Sequence, residues 1–385
     1  MRIALALSLC LVAAFATAAP RAKNGDKPEA QTPSQPKSTT SVRETYRSRM
    51  NQTVVTIMAG GSSSTDLAIA SDLAEVLDDG DQLRILPIVG KGAVQSVKDV
   101  MFLRGVDMGI TQANVLKHFA ATGELGANFE NEIVYVAKLF NEEIHVLAHS
   151  DVAGIGALAG KSVSLGMEGS GGAITGQLLF DALGIDIKPL HLPDAEAIAK
   201  LKSGEIDAAV VIAGKPAPIA TALKDSDGLK LLPVPYPEAL ADSYYPASLN
   251  HDDYPELVAE GRSVDTVSVC AVLISFNWPQ GSVRYRRVAK FVDAFFGSFD
   301  AFLEAPRHPK WREVNFAATL EGWRRSPAAQ AWIDSAQTKT EAASKRSFDT
   351  FLAQAAKESG APVSAEQRAE LFRAFLQWSK DQQSE

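Results

Sequence analysis

Short apolar runs alternate with amphipathic stretches along most of the chain. Strands are predicted at residues 53–58, 83–88, 107–111, 133–139, 144–148, 162–166, 188–192, 206–212, 229–233 and 265–276. Between them, apolar positions spaced for one face of a helix occupy 66–77, 93–103, 173–182 and 195–201. Strand and helix in alternation imply an α/β fold with a parallel sheet and helices on its faces. After Ser282 the pattern turns helical. Val288, Phe291, Val292, Phe295 and Phe299 form a buried stripe within 283–305. Further helices are predicted at 327–337 and 344–359, and Ser364-Ala365-Glu366-Gln367 is a capping box ahead of Leu371, Phe375 and Trp378.

Two glycine/serine loops each leave an apolar strand and enter a helix. The first is Gly60-Gly61-Ser62-Ser63-Ser64-Thr65, and the second is Glu168-Gly169-Ser170-Gly171-Gly172. Small residues let the backbone approach a ligand, and a helix N-terminus supplies free N–H donors and partial positive charge. A weaker echo links Gly105-Val106-Asp107 with Gly204-Glu205-Ile206-Asp207, each following a helix and opening a strand. Two similarly built lobes are expected, at 49–150 and 151–255, with the segment 262–300 returning to complete the first and a helical extension at 301–385.

Met1-Arg2, an apolar run to about Ala16 and the small-x-small site Ala16-Thr17-Ala18 read as a secretory signal peptide over 1–18. The proline-rich polar stretch that follows, 19–48, is expected to be a disordered tether, with a short helix from Ser41 to Asn51. The mature chain is therefore expected to be exported. Without the leader Cys270 is the lone cysteine, in an apolar strand pattern that marks a buried thiol. With 46 acidic against 38 basic residues, the chain has no electrostatic footprint for nucleic acid.

Catalytic motifs fail on spacing. Gly156 to Ser162 has three residues between its glycines where a phosphate loop needs four, and it enters a strand instead of a helix. None of His118, His145, His149, His191, His251 and His308 falls in a zinc-protease spacing, and no metal or cofactor site is expected. No Gly-x-Ser-x-Gly is centred on Ser62 or Ser170. Binding chemistry remains. Loops at the carboxyl ends of strands, where open α/β sheets bind ligands, offer Ser62, Ser63, Ser64, Thr65, Lys91, Gln112, Asn114, Ser170, Gly171, Gly172 and Lys215. Lys91 and Lys215 are candidates to pair with a carboxylate.

Taken in order, these pieces resemble the TAXI family of solute-binding subunits of TRAP transporters. The matching stretches are Thr56–Asp66, Pro87–Gly92, Arg104–Gln112, Leu158–Gly166, Gly169–Gly171, Gly204–Ile212 with Gly214-Lys215-Pro216, and Tyr254 with Val264–Leu273. The resemblance covers about residues 53 to 300. It implies a two-lobed, type II-like periplasmic binding fold, here with a C-terminal helical extension, and it adds Tyr254 to the ligand-binding set. It also implies capture of a small anionic or zwitterionic solute, an organic acid or amino acid, and delivery to TRAP-type membrane permease subunits without catalysis. Two departures bear on the solute. Ser64-Thr65-Asp66-Leu67 stands where the family often has Gly-Thr-Tyr-Tyr, and Gln112-Ala113-Asn114 replaces glutamine-serine-aspartate. Asp66 at that point repels a second carboxylate or pairs with an ammonium group.

Three rival roles are a ligand sensor for a signalling receptor, an interaction protein with a degenerate cleft, and an enzyme on a related fold. The last needs a titratable pair facing the cleft, and the sequence shows none.

Overall fold

The computed structural model describes residues 41–80, 82–339, 346, 348 and 371–373. The signal peptide, the tether before residue 41, the helix expected at 344–359 and the capping box at Ser364 lie outside them, apart from a few residues. The chain divides into two compact units, 1–45 and 46–385. The described part of the first is the capped start of a helix, where Ser41 Oγ accepts from the Glu44 N–H at 3.1 Å and Glu44 Oε2 accepts in return at 3.0 Å.

In chain order the elements are α1 Val42–Thr53, β1 Val54–Met58, α2 Thr65–Leu77, β2 Arg84–Ile88, α3 Ala93–Phe102, β3 Met108–Gln112, α4 Ala113–Thr122, α5 Phe129–Glu132 and β4 Ile133–His149. They continue with β5 Ser162–Ser164, α6 Gly171–Ala182, β6 Lys188–Leu190, α7 Asp194–Lys202, β7 Ala208–Ala213, α8 Pro218–Thr221, β8 Leu229–Leu232, β9 Tyr245–Asn250, β10 Ser263–Phe276 and α9 Val283–Gly297. The strands form one sheet in the order β2-β1-β3-β10-β4-β7-β5-β6, with β8 against β4 and β9 against β10.

Two long strands divide this sheet into lobes. β4 and β10 are antiparallel partners, and each belongs to a different set of neighbours at its two ends. The end of β10, Ala271 to Ser275, pairs β3, whereas its start, Ser263 to Ser268, pairs β9. Likewise β4 from Glu143 to Ala148 pairs β7. Residues 133–139 and 144–148, expected as separate strands, are therefore one continuous strand of 17 residues. The polar Asn141-Glu142-Glu143 break in the pattern is the crossing point between lobes, not a turn. The register of β10 against β4 shifts between Cys270 and Val272, at the same level.

Each lobe has an apolar cluster on both faces of its part of the sheet. Val55, Ile57, Ile69, Leu73 and Phe295 belong to one cluster in the first lobe, and Met58, Val97, Leu116 and Val272 to the other. In the second lobe Val146, Val163, Phe180 and Val210 face one way, and Leu147, Leu201, Ala209 and Tyr254 the other. Strand alternation sends successive residues to opposite faces and so fills both.

The sequence echo has a structural counterpart. In the first lobe Asp107 Oδ2 accepts from the Thr56 N–H at 3.2 Å, and the Asp107 N–H donates to Thr56 Oγ1 at 3.0 Å. In the second, Asp207 Oδ2 accepts from the Ser162 N–H at 2.8 Å, and the Asp207 N–H donates to Ser162 Oγ at 3.2 Å. The same reciprocal clasp ties the two strands in both lobes. Arg287 covers Asp107 at 3.0 Å, and Lys161 reaches Asp207 at 3.3 Å.

Residues 301–326, the first part of the extension expected to be helical, contain only short 3-10 turns. Beyond α9 lie two short 3-10 turns, Phe299–Phe302 and Pro309–Glu313, then irregular chain, and helix resumes over 327–339, where one was expected at 327–337. His308-Pro309 and Gly322 interrupt the periodicity with residues that disfavour helix. This segment completes the first lobe's core. Trp311 is fully buried among Phe295, Phe299 and Phe302, and its Nε1–H donates to Asp72 at 2.7 Å. Among the described residues no helix is long and apolar enough to cross a membrane.

Candidate functional site

Both glycine/serine loops open onto one cavity of about 420 Å³ between the lobes. Gly60 to Ser64 and Val89 to Ala93 line it from the first lobe, and Leu165 to Met167, Ser170 to Gly172 and Pro193 to Ala195 from the second. Four helices thus begin at its wall. Ser64 caps α2 by accepting from the Leu67 N–H at 3.2 Å, and Ser170 caps α6 by accepting from the Ala173 N–H at 3.2 Å. Gly92 precedes α3, its φ of 118° being open to glycine alone at little cost, and Pro193 precedes α7. The partial positive ends of all four helices face the same space.

The lobes are in contact around this cavity. The Gln95 N–H donates to the Gly169 carbonyl at 3.3 Å, and Thr65 Oγ1 donates to the Gly214 carbonyl at 3.2 Å. Thr175 Oγ1 in α6 donates to Gln112 Oε1 at 2.6 Å and accepts from Asn114 Nδ2 at 2.8 Å. Glycine is required at 171 by this approach, because a Cβ there would lie 2.5 Å from Gln112 Oε1 and 2.9 Å from the Ala93 Cβ.

Of the residues expected from sequence, Ser62, Ser63, Ser64, Lys91, Gln112, Ser170, Gly171 and Gly172 line the cavity. Thr65 and Asn114 are buried beside it and spend their side chains on ties between the lobes. Lys215 stands elsewhere, its Nζ bonded to Asp253 and to the Ser248 carbonyl, both at 2.9 Å. Tyr254 is also elsewhere, its hydroxyl buried between His145 Nε2 at 2.6 Å and the Ala217 N–H at 2.8 Å. The lysine finds a carboxylate in its own lobe, and the tyrosine ring fills a core.

Three acids line the cavity that were not among the expected site residues: Asp66, Glu142 and Asp194. Asp66 is the second residue of α2, and burial pushes its carboxyl up to about 7. Its Oδ1 is buried without a hydrogen-bond partner. Glu142 sits at the crossing point in β4. Burial raises its carboxyl well above the ordinary range, the neighbouring Asp66 adds to this, and donation from Gln112 Nε2 at 2.7 Å works against it. Burial also raises Asp194, the first residue of α7. The sequence carried a trace of Asp66 as a departure in the first loop. It carried none of Glu142, which lies where two strands were separated in the reading.

Strand alternation explains why Glu142 and Glu143 differ. Glu142 turns to the cavity, and Glu143 to the other side. There Glu143 accepts from Lys310 Nζ at 2.6 Å and from the Lys215 N–H at 2.8 Å. Lys310 also reaches Glu313 at 2.6 Å, so the tail clamps the crossing point from behind. Burial still leaves the Glu143 carboxyl raised, against the pull of Lys310.

Asp66 and Glu142 are a titratable pair facing the cleft, which the sequence had not disclosed. No histidine or cysteine accompanies them among the described lining residues. His145 is buried against Tyr254 and held neutral, burial lowering it to about 4. Among the described residues no group of three or more His, Cys, Asp or Glu is placed to hold a metal ion.

Solved structures similar to this chain include one described as a periplasmic transporter, with 13% identity over 75% of this chain and 94% of that one and a TM-score of 0.44. MatC from Rhodopseudomonas palustris with bound malate has 16% identity over 67% and 86% at a TM-score of 0.44. The periplasmic binding protein BugD has 15% identity over 68% and 85% at a TM-score of 0.41. The profile of the NMT1-like family matches residues 57–272, more than half of the sequence, and the chain therefore belongs to the NMT1-like family.

Proposed function

We propose that this protein is an extracytoplasmic solute receptor of the TAXI type, which holds a small carboxylate-bearing solute between its lobes and passes it to a TRAP-type membrane permease. The observation that carries this reading is the convergence of four helix N-termini and two glycine/serine loops on one cleft. Free backbone N–H groups at helix starts are suited to a carboxylate, and they need no lysine to do it. A cleft of about 420 Å³ suits a molecule of metabolite size.

Among the described residues two strands, β4 and β10, carry the chain between the lobes, and both are irregular or polar at the crossing. That arrangement supports hinged opening, with closure on the solute as the state a permease reads. Ser62, Ser63, Ser64, Gln112, Ser170 and the backbone at Gly171 and Gly172 are the contacts proposed for the solute.

The test is calorimetry and thermal shift on the purified protein against organic acids and amino acids, followed by uptake in membranes carrying the permease. A tight solute raises the unfolding temperature by mass action. Silence from every acid and amino acid in both measurements would refute the role.

A further inference from the structure

We propose that the cleft contains a cation subsite at Asp66, so that its solute carries a protonated amine as well as any carboxylate, and that dicarboxylates are rejected. This rests on the receptor role above and names the solute class for that same cleft. Three observations support it. First, Asp66 is 7% exposed, lines the cavity, and has an Oδ1 with no partner. A buried acceptor left empty costs stability unless a ligand supplies the donor. Second, Glu142 and Asp194 line the same cavity, so a second carboxylate would have to sit among three acidic side chains. Third, two of the three lysines nearby are committed elsewhere. Lys310 is bonded to Glu143 and Glu313 behind the crossing strand, and Lys215 is bonded to Asp253. Lys91 lines the cavity from an exposed position at its rim.

A first-turn aspartate has an ordinary explanation, since it complements the helix dipole. That role is met equally well from the surface and does not require burial. A dipole partner also gains nothing from facing a shared cavity beside a second acid. An ammonium group resolves both features. It supplies N–H donors to Oδ1 and a charge that lets Asp66 ionise beside Glu142.

The experiment compares three four-carbon probes on the wild-type protein by calorimetry and thermal shift: succinate, 4-aminobutyrate and 1,4-diaminobutane. The common amino acids and calcium chloride are run beside them. Binding of an amine-bearing probe or amino acid with no response to succinate is the expected result. Asp66→Asn should weaken that ligand about 10- to 100-fold, the loss of one charge-assisted hydrogen bond. Asp66→Ser, with a smaller side chain, should do the same, and the melting curve of each variant checks that it is folded. Preference for succinate, unchanged in Asp66→Asn, would overturn the cation subsite and leave the receptor role standing. Binding of diaminobutane alone would keep the subsite and overturn the carboxylate. A response to calcium alone would make this a metal site and overturn the proposal. No response to any amine-bearing probe or amino acid would overturn the cation subsite, and the wider acid panel above then decides the receptor role.

Discussion

Replacing Gly171 by alanine tests whether binding depends on the lobes meeting. The residue opens α6 with a φ outside the left-handed region, so alanine suits the backbone and the helix. The obstacle is across the cleft. The new methyl would stand 2.5 Å from Gln112 Oε1, 2.7 Å from its Cδ and 2.9 Å from the Ala93 Cβ. Gln112 cannot easily yield, because its amide is held by Glu142 at 2.7 Å and Thr175 at 2.6 Å. Overpacking of this kind costs about 1–3 kcal/mol. If the cost falls on the closed form alone, affinity drops by the same amount, roughly 5- to 150-fold. Gly172→Ala is the control. Its methyl would meet the Leu165 carbonyl oxygen at 2.8 Å, inside the second lobe, so it should lower the stability of the solute-free protein instead. The assay is calorimetry with the tightest available solute, paired with urea denaturation of each variant without solute. Wild-type affinity in Gly171→Ala, or a stability loss equal to that of Gly172→Ala, would refute the closure argument.

Stability should respond to pH through Asp66. Its carboxyl is raised from 3.8 to about 7, so the folded state keeps a proton that the unfolded chain releases. The resulting stability is complete below pH 4 and is lost as pH rises through 7, by up to about 4 kcal/mol. Glu142 acts in the same direction, with Glu143 adding to its rise and Lys310 opposing it. His145, lowered from 6.5 to about 4, has the opposite sign and costs stability as pH falls through that window. The clean readout is a difference: the stability of Asp66→Asn over wild type, from urea midpoints, should grow from about pH 4 to about pH 7 and level off above. Lys310→Met should cost about 3–5 kcal/mol in the same assay, because it leaves Glu143 buried without its cation. Tyr254→Phe should cost about 2 kcal/mol or more by unpairing His145 Nε2 and the Ala217 N–H, with solute affinity unchanged in calorimetry. Lys215→Ala should likewise leave affinity within about twofold of wild type, since an ion pair 2.9 Å from Asp253 is what it loses.

The alternation of strand and helix was legible because periodicity and small-residue loops are local properties. The loops holding Ser64 and Ser170 were legible as strand-to-helix turns, and the Asp107 and Asp207 echo proved to be the same clasp in each lobe. What was hidden depends on distant partners. β4 looked like two strands because Asn141-Glu142-Glu143 is polar, yet Glu142 faces a cleft and Glu143 is neutralised by Lys310, far along the chain. Lys215 was attractive as a loop residue and Tyr254 through the resemblance, but their contacts with Asp253 and His145 depend on the fold. The tail's aromatic stripe was visible, but periodicity alone does not say that Trp311 closes the first lobe's core.

The chain path has a practical consequence. It leaves the first lobe near Glu143 and comes back near Ser268, and those two residues are direct neighbours across the β4–β10 ladder. In effect the second lobe is a module spliced into a hairpin, with its ends side by side. Such a part is suited to exchange: another domain with adjoining termini, or a tight turn, fits the same junction without rerouting a single strand of the host.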